Sequence, residues 1–351
     1  MNPFKFVGRR IIKTGIAVFI TALICSKLGL PVIFAVITAI VTTEPTAADS
    51  LKRGIIRLPA AAVGAGFALL FDLILGQGAL TFALVSMLTI LLCHHLKLDN
   101  GTLVATLTAV AMIPGANEGI ITEFLFRLSG TSLGIIISTL VNFAVLPPRF
   151  GPLLVSKVNE LFENTALHSE ELISAISKST SANVNSSFRK LHQDLEKAFQ
   201  LCQYQEDEWQ YRKRDELEDR SFQFLQRKLT KLQKLISHVG NLSYVNLNAG
   251  LSSAEKKLLM SSAQLITQYC TESTIKNDQQ LSEYKEDIFH LLKKEIQSNS
   301  NYGQKETLFY ELLGILDCLS QLQKATEEER VFSENNKNYP AYIFAEKVQY
   351  D

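Results

Sequence analysis

The chain has 351 residues, carries 35 basic and 35 acidic side chains, and is 47% hydrophobic. Zero net charge argues against a nucleic-acid-binding protein, because there is no excess of Lys and Arg to release counterions from phosphate. The five cysteines are far apart and odd in number, a pattern that predicts neither a disulfide framework nor a zinc site. We therefore expect no bound metal.

The composition changes near residue 150. Residues 1–150 contain 11 Lys or Arg and six Asp or Glu, whereas residues 151–351 contain 24 basic and 29 acidic residues. The first part is apolar with a small positive excess, and the second part is highly charged. The sequence predicts an all-α protein with a membrane domain over 1–150 and a cytoplasmic helical bundle over 151–351.

The first 150 residues contain six apolar runs. They cover 11–30, 30–43, 58–75, 79–95, 102–115 and 128–146. The first run is long enough to cross a hydrocarbon core of about 30 Å. A cleaved signal peptide is the alternative for this run, but no small-residue cleavage site follows it and further apolar runs do. We expect six membrane spans in contact with the lipid bilayer.

Basic residues gather on one side of the predicted spans. They are Lys5, Arg9, Arg10 and Lys13 in the amino-terminal arm, Lys52, Arg53 and Arg57 in a loop, Lys97 beside His94 and His95, and Arg149 and Lys157 after the last span. The positive-inside rule then predicts that both termini are cytoplasmic. Histidine is the residue type most often used to exchange protons at physiological pH, but at a cytoplasmic helix end we expect His94 and His95 to be interfacial.

The second and fifth runs are short for full crossings, and each ends near a proline, Pro45 or Pro114. Short, proline-interrupted segments at corresponding positions of two halves predict a transporter site, because a broken helix exposes backbone groups that bind ions or substrate. The alternative is two short helices with extended ends, since proline is tolerated in membrane helices. The sequence leaves both interpretations open.

A weak internal repeat relates the third run to the sixth. Arg57 is followed by Gly64, and Arg127 is followed at the same spacing by Gly134. Because three spans per half is an odd number, the two halves are predicted to form a 3+3 inverted repeat. The small residues around Gly64 are expected to allow close helix packing.

Carrying an organic acid requires a cation for the carboxylate, an apolar cavity and, if protons drive transport, a titratable group. Arg57 and Arg127 are the predicted substrate-binding residues, and Glu44 and Asp72 are the predicted proton-coupling residues. Glu44 is the strongest candidate, because an ionisable residue in apolar membrane sequence costs free energy and is therefore usually functional. Glu44 also lies beside a helix-breaking proline. An equally good interpretation makes the two arginines interface anchors that extend toward water.

Several of these residues together carry a family resemblance. They are Pro31, Glu44-Pro45-Thr46, Ser50, Lys52-Arg53-Gly54, Arg57, Gly64, and the final span from Arg127 through Gly134 to Pro147. The first 150 residues resemble the aromatic acid exporter family, within the fusaric-acid-resistance-like transporters. The resemblance implies a six-span unit in the bacterial inner membrane that exports aromatic carboxylic acids in a process coupled to protons. Larger relatives contain two such units, so a single unit implies a homodimer.

The second part has helical periodicity. One apolar stripe runs through Phe222, Leu225, Leu229, Leu232, Ile236 and Val239. Together with similar stripes and the breaks between them, it predicts a bundle of about five helices. Ser252 to Glu255 forms a capping box. The run Glu206 to Arg220 is interpreted as a solvated face of ion pairs, with a docking surface anchored by Trp209 and Tyr211 as the alternative.

Enzyme chemistry is not indicated. The sequence has no phosphate-binding loop and no nucleophile elbow, so we expect neither ATP-driven pumping nor an enzyme, and no cofactor. The sequence favours a secondary transporter for proton-linked efflux of aromatic or related organic acids. The alternatives are a membrane-anchored interaction or regulatory protein whose helical tail is the working part, and a passive channel.

Overall fold

A computed structural model describes residues 9–44, 46–113, 120–145, 150–178, 185–210, 216–245, 251–271, 278–298 and 303–336. Within these ranges there are twelve α-helices and no β-strand, which confirms the predicted all-α class for the described part of the chain. The chain divides into two compact units. The first comprises Met1–Pro148 and Glu206–Lys213, and the second comprises Arg149–Gln205 and Arg214–Asp351.

Six helices build the main part of the first unit. They are α1 (Arg9–Leu28), α2 (Val32–Thr42), α3 (Ala47–Leu75), α4 (Ala79–His95), α5 (Thr102–Met112) and α6 (Ile120–Ala144). A 3-10 turn, Asp99–Gly101, precedes α5. Each helix contains or overlaps one of the six apolar runs, but α3 begins 11 residues and α6 begins eight residues before its run. Hydropathy therefore locates these helices but not all of their starts.

The start of α3 corrects the sequence analysis. The helix begins at Ala47 rather than at residue 58, because the Thr46 side chain caps it by accepting a hydrogen bond from the Asp49 N–H at 3.0 Å. Arg53 and Arg57 therefore lie in the first turns of α3 and not in a loop. A hydropathy criterion misses this charged start, since a helix begins at its cap and not at its first apolar residue.

Three of the helices contain segments long and apolar enough to cross a membrane, namely Arg10–Leu28, Ala48–Leu75 and Phe124–Ala144. Helices α2 and α4 are shorter apolar helices. With 11 residues each, α2 and α5 rise about 16 Å, roughly half of a hydrocarbon core. The apolar helices are thus established, whereas six complete crossings stay a prediction.

The helices of the first unit pack in equivalent pairs. α3 packs on α5 as α6 packs on α2, and α4 contacts α3 and α5 as α1 contacts α6 and α2. A Cβ atom on Gly64 would overlap the Ala105 carbonyl, and one on Gly134 would overlap the Ala35 carbonyl. Equivalent residues are 70 positions apart, a relation called here the 70-residue correspondence. An inverted 3+3 repeat produces this contact pattern.

The second unit contains α7 (Phe150–Lys178), most of α8 (Asn185–Trp209), α9 (Glu216–Leu242), α10 (Ser253–Thr271), α11 (Asp278–Ser298) and α12 (Gln304–Asn335). It therefore has six helices where about five were expected. α9 packs against α7 and α12, and its predicted stripe is buried except for half-buried Leu225. The capping box is confirmed, since the Ser252 N–H donates to Glu255 Oε2 at 2.6 Å and the Glu255 N–H to Ser252 Oγ at 3.3 Å.

The charged run from Glu206 does not match the predicted solvated face throughout. Asp207 and Glu208 are buried, and Trp209 is half-buried. Tyr211, the second predicted anchor, lies outside the described residues. The solvated-face interpretation is therefore wrong for the two buried acids, because the density of charge in a sequence does not reveal which side chains leave water.

Candidate functional site

The helix break between α2 and α3 places an acid inside the first unit. α2 ends at Thr42, the backbone of Thr43 is extended, and α3 starts after the Thr46 cap. The hydroxyls of Thr42 and Thr43 donate to carbonyls one turn back in α2, so they are satisfied locally. The Glu44 side chain has its hydrogen-bond partners in α3.

Two arginines from the first turns of α3 neutralise Glu44. Arg57 Nη2 donates to Glu44 Oε1 at 2.5 Å, and Arg53 Nη1 donates to Glu44 Oε2 at 3.3 Å. The side chains of Glu44 and Arg57 are only 10% and 7% exposed. This buried Glu44/Arg57 pair is the feature that distinguishes the break from an ordinary helix end, because ions held away from water need close partners.

Arg57 has one guanidinium donor that Glu44 does not use. Its Nε donates to the Asn100 carbonyl at 3.4 Å, which links α3 to the turn before α5. Its Nη1 is buried and has no hydrogen-bond partner among the residues that the structure describes. A buried donor without a hydrogen bond destabilises a folded protein by about 1–3 kcal/mol. A ligand atom that accepts a hydrogen bond from Nη1 would remove this cost.

Asn142, which the sequence analysis did not single out, holds the break in place. Its Nδ2 donates to the carbonyls of Glu44 and Thr46 at 3.0 and 2.8 Å and to Ser50 Oγ at 2.7 Å. Its Oδ1 accepts a hydrogen bond from buried Lys13 Nζ at 2.8 Å. α1, α6 and the break thus meet at one amide. The available signal was a strongly polar residue, Lys13 or Asn142, within each of two apolar runs.

Arg127 lies at the other end of α2. Its guanidinium carbon is 5.2 Å from the centre of the Phe34 ring, and its Nη1 donates to the carbonyls of Ala111 and Met112, each at 3.0 Å. These carbonyls end α5, where a cation is favoured by the helix dipole. Phe34 and Thr42 are eight residues apart along α2, about 12 Å at the helical rise, and Glu44 lies beyond Thr42. Arg127 therefore does not join the Glu44/Arg57 pair.

Asp72, the second predicted proton-coupling residue, is also remote from the pair. It is half-buried near the end of α3, fifteen residues beyond Arg57, or about 22 Å along the helix. By the 70-residue correspondence it is the counterpart of Asn142. Of the four predicted site residues, the structure brings together Glu44 and Arg57 and separates them from Arg127 and Asp72.

A half-open apolar cavity of about 160 Å³ lies between α2 and α5. It is lined by Phe34, Ile37, Thr38 and Val41 of α2 and by Val104, Leu107, Thr108, Val110 and Ala111 of α5. Four pairs of these residues obey the 70-residue correspondence, so the cavity lies where the two halves meet. An apolar cavity of about 150 Å³ is large enough for one benzene ring.

Both ends of the cavity lead to charged groups. Arg127 contacts Phe34 and Ala111 at one end. At the other end, Val41 is three residues from Glu44, and Val104 is four residues from Asn100, whose carbonyl accepts from Arg57. The arrangement suits an amphipathic anion, with an apolar surface for its body and a cation for its acid group.

Two further titratable groups near this end, His94 and Asp99, are exposed. His94 Nδ1 is 2.9 Å from Asp99 Oδ1, and the two side chains are 83% and 63% exposed. Within the described ranges, no group of three or more His, Cys, Asp or Glu side chains is arranged to hold a metal ion.

Known proteins resemble this chain along nearly its whole length. Residues 5–145 match the family model described as "Aromatic acid exporter family member 1". A UPF0421 protein of Halalkalibacterium halodurans is 42% identical over 347 residues, which cover 98% of this chain and 96% of the relative. Over residues 5–145 the chain matches the aromatic acid exporter family, and with this relative it belongs to the UPF0421 proteins.

Other UPF0421 proteins are also similar to this chain over most of its length. One from Bacillus cereus is 40% identical over 346 residues, covering 93% of this chain and 96% of the relative. One from Oceanobacillus iheyensis is 32% identical over 330 residues, covering 90% and 95%. The resemblance drawn from the sequence is thereby confirmed over the same part of the chain. The family and the apolar helices together identify a membrane protein of a transporter family, which is consistent with a protein that is not an enzyme.

Proposed function

We propose that this chain is a secondary transporter that exports aromatic or related organic acids across the bacterial inner membrane in a proton-linked process. The observation that carries the proposal is the buried Glu44/Arg57 pair next to the apolar cavity between α2 and α5. Glu44 follows the cavity residue Val41 by three positions, and Arg57 donates to the carbonyl of Asn100, four positions before the cavity residue Val104. A transport site at the meeting point of two repeats is the arrangement common in secondary transporters.

The roles of the site residues follow from their positions. Arg57 binds the substrate carboxylate, using Nη1 as an additional donor, and the cavity receives the ring. Glu44 accepts the transported proton. Arg127 holds the carboxylate at the other end of α2, and Asp72 serves as a second proton acceptor at that end.

The two ends of the pathway face opposite sides of the membrane in this proposal. The Glu44/Arg57 pair is near Lys13 at the start of α1 and near Asn142 at the end of α6, so it belongs to the side of the termini. By the positive-inside rule that side is cytoplasmic. The Arg127 end then opens outward, and two copies of the chain form the working homodimer.

The test is efflux of a radiolabelled hydroxybenzoate from preloaded cells. We expect a deletion strain to lose the label more slowly than the wild type, and Glu44→Gln to abolish proton-linked export while the protein stays in the membrane. Equal efflux from deletion and wild-type strains across a panel of aromatic acids would contradict the transporter function. Unchanged export by Glu44→Gln would remove Glu44 from the mechanism.

The regulatory alternative makes a different prediction in the same strains. If the second unit were the working part, a growth defect of the deletion strain would be corrected equally well by wild type, Glu44→Gln and Arg57→Gln. If transport is the function, neither variant corrects it, because both alter the pair that carries proton and acid.

A further inference from the structure

The charge balance around Glu44 bears on how a proton and a substrate are coupled. Glu44 is paired with Arg57 at 2.5 Å and with Arg53 at 3.3 Å, and Arg53 in turn lies 3.9 Å from Asp49. These two acids and two bases sum to zero charge. These four groups are therefore neutral together, and the positive charge of Arg57 is already compensated by Glu44.

A substrate carboxylate that reaches Arg57 meets a second carboxylate on the same guanidinium. Two carboxylates sharing a buried site do not both stay ionised, because their repulsion raises the pKa of one of them. A substrate carboxylate gives the group of Glu44, Asp49, Arg53 and Arg57 one net negative charge, and uptake of one proton returns that group to neutrality. Glu44 is the only acid hydrogen-bonded to Arg57 among the residues that the structure describes, so it is the group that receives the proton.

Nη1 of Arg57, a donor without a partner among the described residues, is the group that an incoming anion can bind first. Nη1 is buried and has no hydrogen-bond partner among the described residues, while Nη2 is held by Glu44. A carboxylate binds a guanidinium best through two parallel hydrogen bonds. A substrate that takes Nη1 and then Nη2 displaces Glu44, whose charge is lost on protonation.

Other charged groups around the pair do not supply this proton. Lys13 acts through Asn142, whose amide donates to the backbone of Glu44 and not to its carboxylate. His94 and Asp99, next to Asn100, are paired with each other and exposed to solvent. Exposed charges are screened by salt within about 10 Å.

We propose that the substrate carboxylate and one proton bind together at the Glu44/Arg57 pair and cross the membrane in the same direction. The inference rests on the proposed function and adds the sign and stoichiometry of the coupling. On binding, an O–H bond forms at Glu44 with a proton from the aqueous phase, and Arg57 exchanges Glu44 for the substrate. On release the proton and the anion leave on the other side, and the Glu44/Arg57 pair forms again.

This scheme makes transport electroneutral. One proton and one monoanion carry no net charge, so the membrane potential does not drive the flux. Export is then driven by the concentration of the acid inside the cell, and the pH difference across the membrane either opposes or assists it. A transporter of this kind relieves internal accumulation of an acid and does not concentrate the acid outside at the expense of the potential.

Glu44→Gln separates two steps of the cycle. The amide resembles protonated Glu44, so the variant binds and exchanges substrate without taking up a proton. In the substrate-free form of this variant, Arg57 has no carboxylate partner. The conformational change that returns the substrate-free site to the other side of the membrane would then have to move an unpaired buried cation, which is costly. We expect net efflux to be lost while exchange of labelled for unlabelled substrate persists.

The test uses full-length protein in liposomes with radiolabelled hydroxybenzoate, and protein-free liposomes report passive leak. A potassium diffusion potential of about 100 mV would shift the equilibrium distribution about 50-fold if one net charge moved with each cycle. For the wild type we expect no such shift, and we expect accumulation when the outside is made acidic. For Glu44→Gln we expect exchange without net flux, and for His94→Gln the pH dependence of the wild type.

The outcomes distinguish the two proposals. No protein-dependent flux of any aromatic acid contradicts the proposed function itself. Flux that follows the potential, or that is driven by a proton gradient of opposite direction, overturns the coupling proposed here and leaves the transporter function standing. Loss of both exchange and net flux in Glu44→Gln also overturns it. The potential test needs only the wild type, so it decides the matter even if the variant fails to fold.

Discussion

Glu44 and Arg57 depend on each other because both are buried. Removing one partner of a buried ion pair typically costs about 3–5 kcal/mol, since the other charge stays in a poorly solvating environment. The two losses are not equivalent here. Without Arg57, Glu44 keeps Arg53 at 3.3 Å, whereas without Glu44, Arg57 keeps only the Asn100 carbonyl among the residues that the structure describes.

This asymmetry gives a stability prediction. Glu44→Gln should lower the thermal stability of the purified protein more than Arg57→Gln does, and the double variant should lose less than the sum of the single losses. The measurement is thermal unfolding in detergent for the four proteins of the cycle. Strictly additive losses would mean that the two side chains do not interact in the folded protein.

At the scale of elements, the two closest helix contacts depend on glycine. A methyl group on Gly64 or Gly134 would overlap a backbone carbonyl of α5 or α2, and a backbone cannot move aside as a side chain can. Gly66 lies in the same helix as Gly64, and a Cβ there would have no neighbour within 4 Å.

We predict that Gly64→Ala and Gly134→Ala each destabilise the first unit by about 1–3 kcal/mol, the usual cost of overpacking. Gly66→Ala is the matched control and should be neutral or slightly stabilising, because alanine favours the helix. Melting temperatures of the three variants in detergent give the comparison. Equal effects at positions 64 and 66 would contradict the close approach of α3 and α5.

The cavity between α2 and α5 is the other feature at this scale. Val110→Phe places a ring in the space assigned to the substrate, whereas Leu103→Phe adds the same ring to a side chain of α5 that is 61% exposed and does not line the cavity. We expect Val110→Phe to raise the substrate concentration for half-maximal export by about tenfold or more. Leu103→Phe should leave it unchanged, and equal effects would locate the ring elsewhere.

At the scale of the whole molecule, the second unit has a pH response of its own. Burial raises the pKa of the Asp194 carboxyl, but the hydrogen bonds and charges of Lys157 and Lys197 outweigh burial and hold that pKa below its ordinary value of 3.8. A carboxyl whose folded-state pKa is lowered contributes stability above the ordinary value and loses it as the pH falls through the folded-state pKa.

We therefore predict that the second unit loses stability below about pH 3.8 and that Asp194→Asn weakens this dependence. Glu328→Gln is the control, because Glu328 pairs with Arg227 where both side chains are more than half exposed. Thermal unfolding by circular dichroism between pH 2 and pH 6 measures the slopes. Parallel slopes for wild type and Asp194→Asn would show that Asp194 is not the responsible group.

Hydropathy was sufficient to locate the six helices of the first unit, because each contains a continuous apolar segment, although it placed the start of α6 eight residues too late. It failed at the charged start of α3, where the Thr46 cap decides the boundary. The bundle was recognised from its periodicity, yet one helix was missed. Asn142 was missed as well, since a single polar residue in an apolar run does not show which backbone groups it will meet.

The sequence by itself determined the all-α class, the family and the choice of Glu44 and Arg57, because hydropathy, motif residues and an acid beside Pro45 are local properties. Only the tertiary structure decided that Glu44 and Arg57 form a buried pair, that Arg127 and Asp72 lie far from it, and that α2 and α5 enclose the cavity. The physical reason is that charge pairing and cavities depend on distances between helices, which are set by close packing at residues such as Gly64 and Gly134.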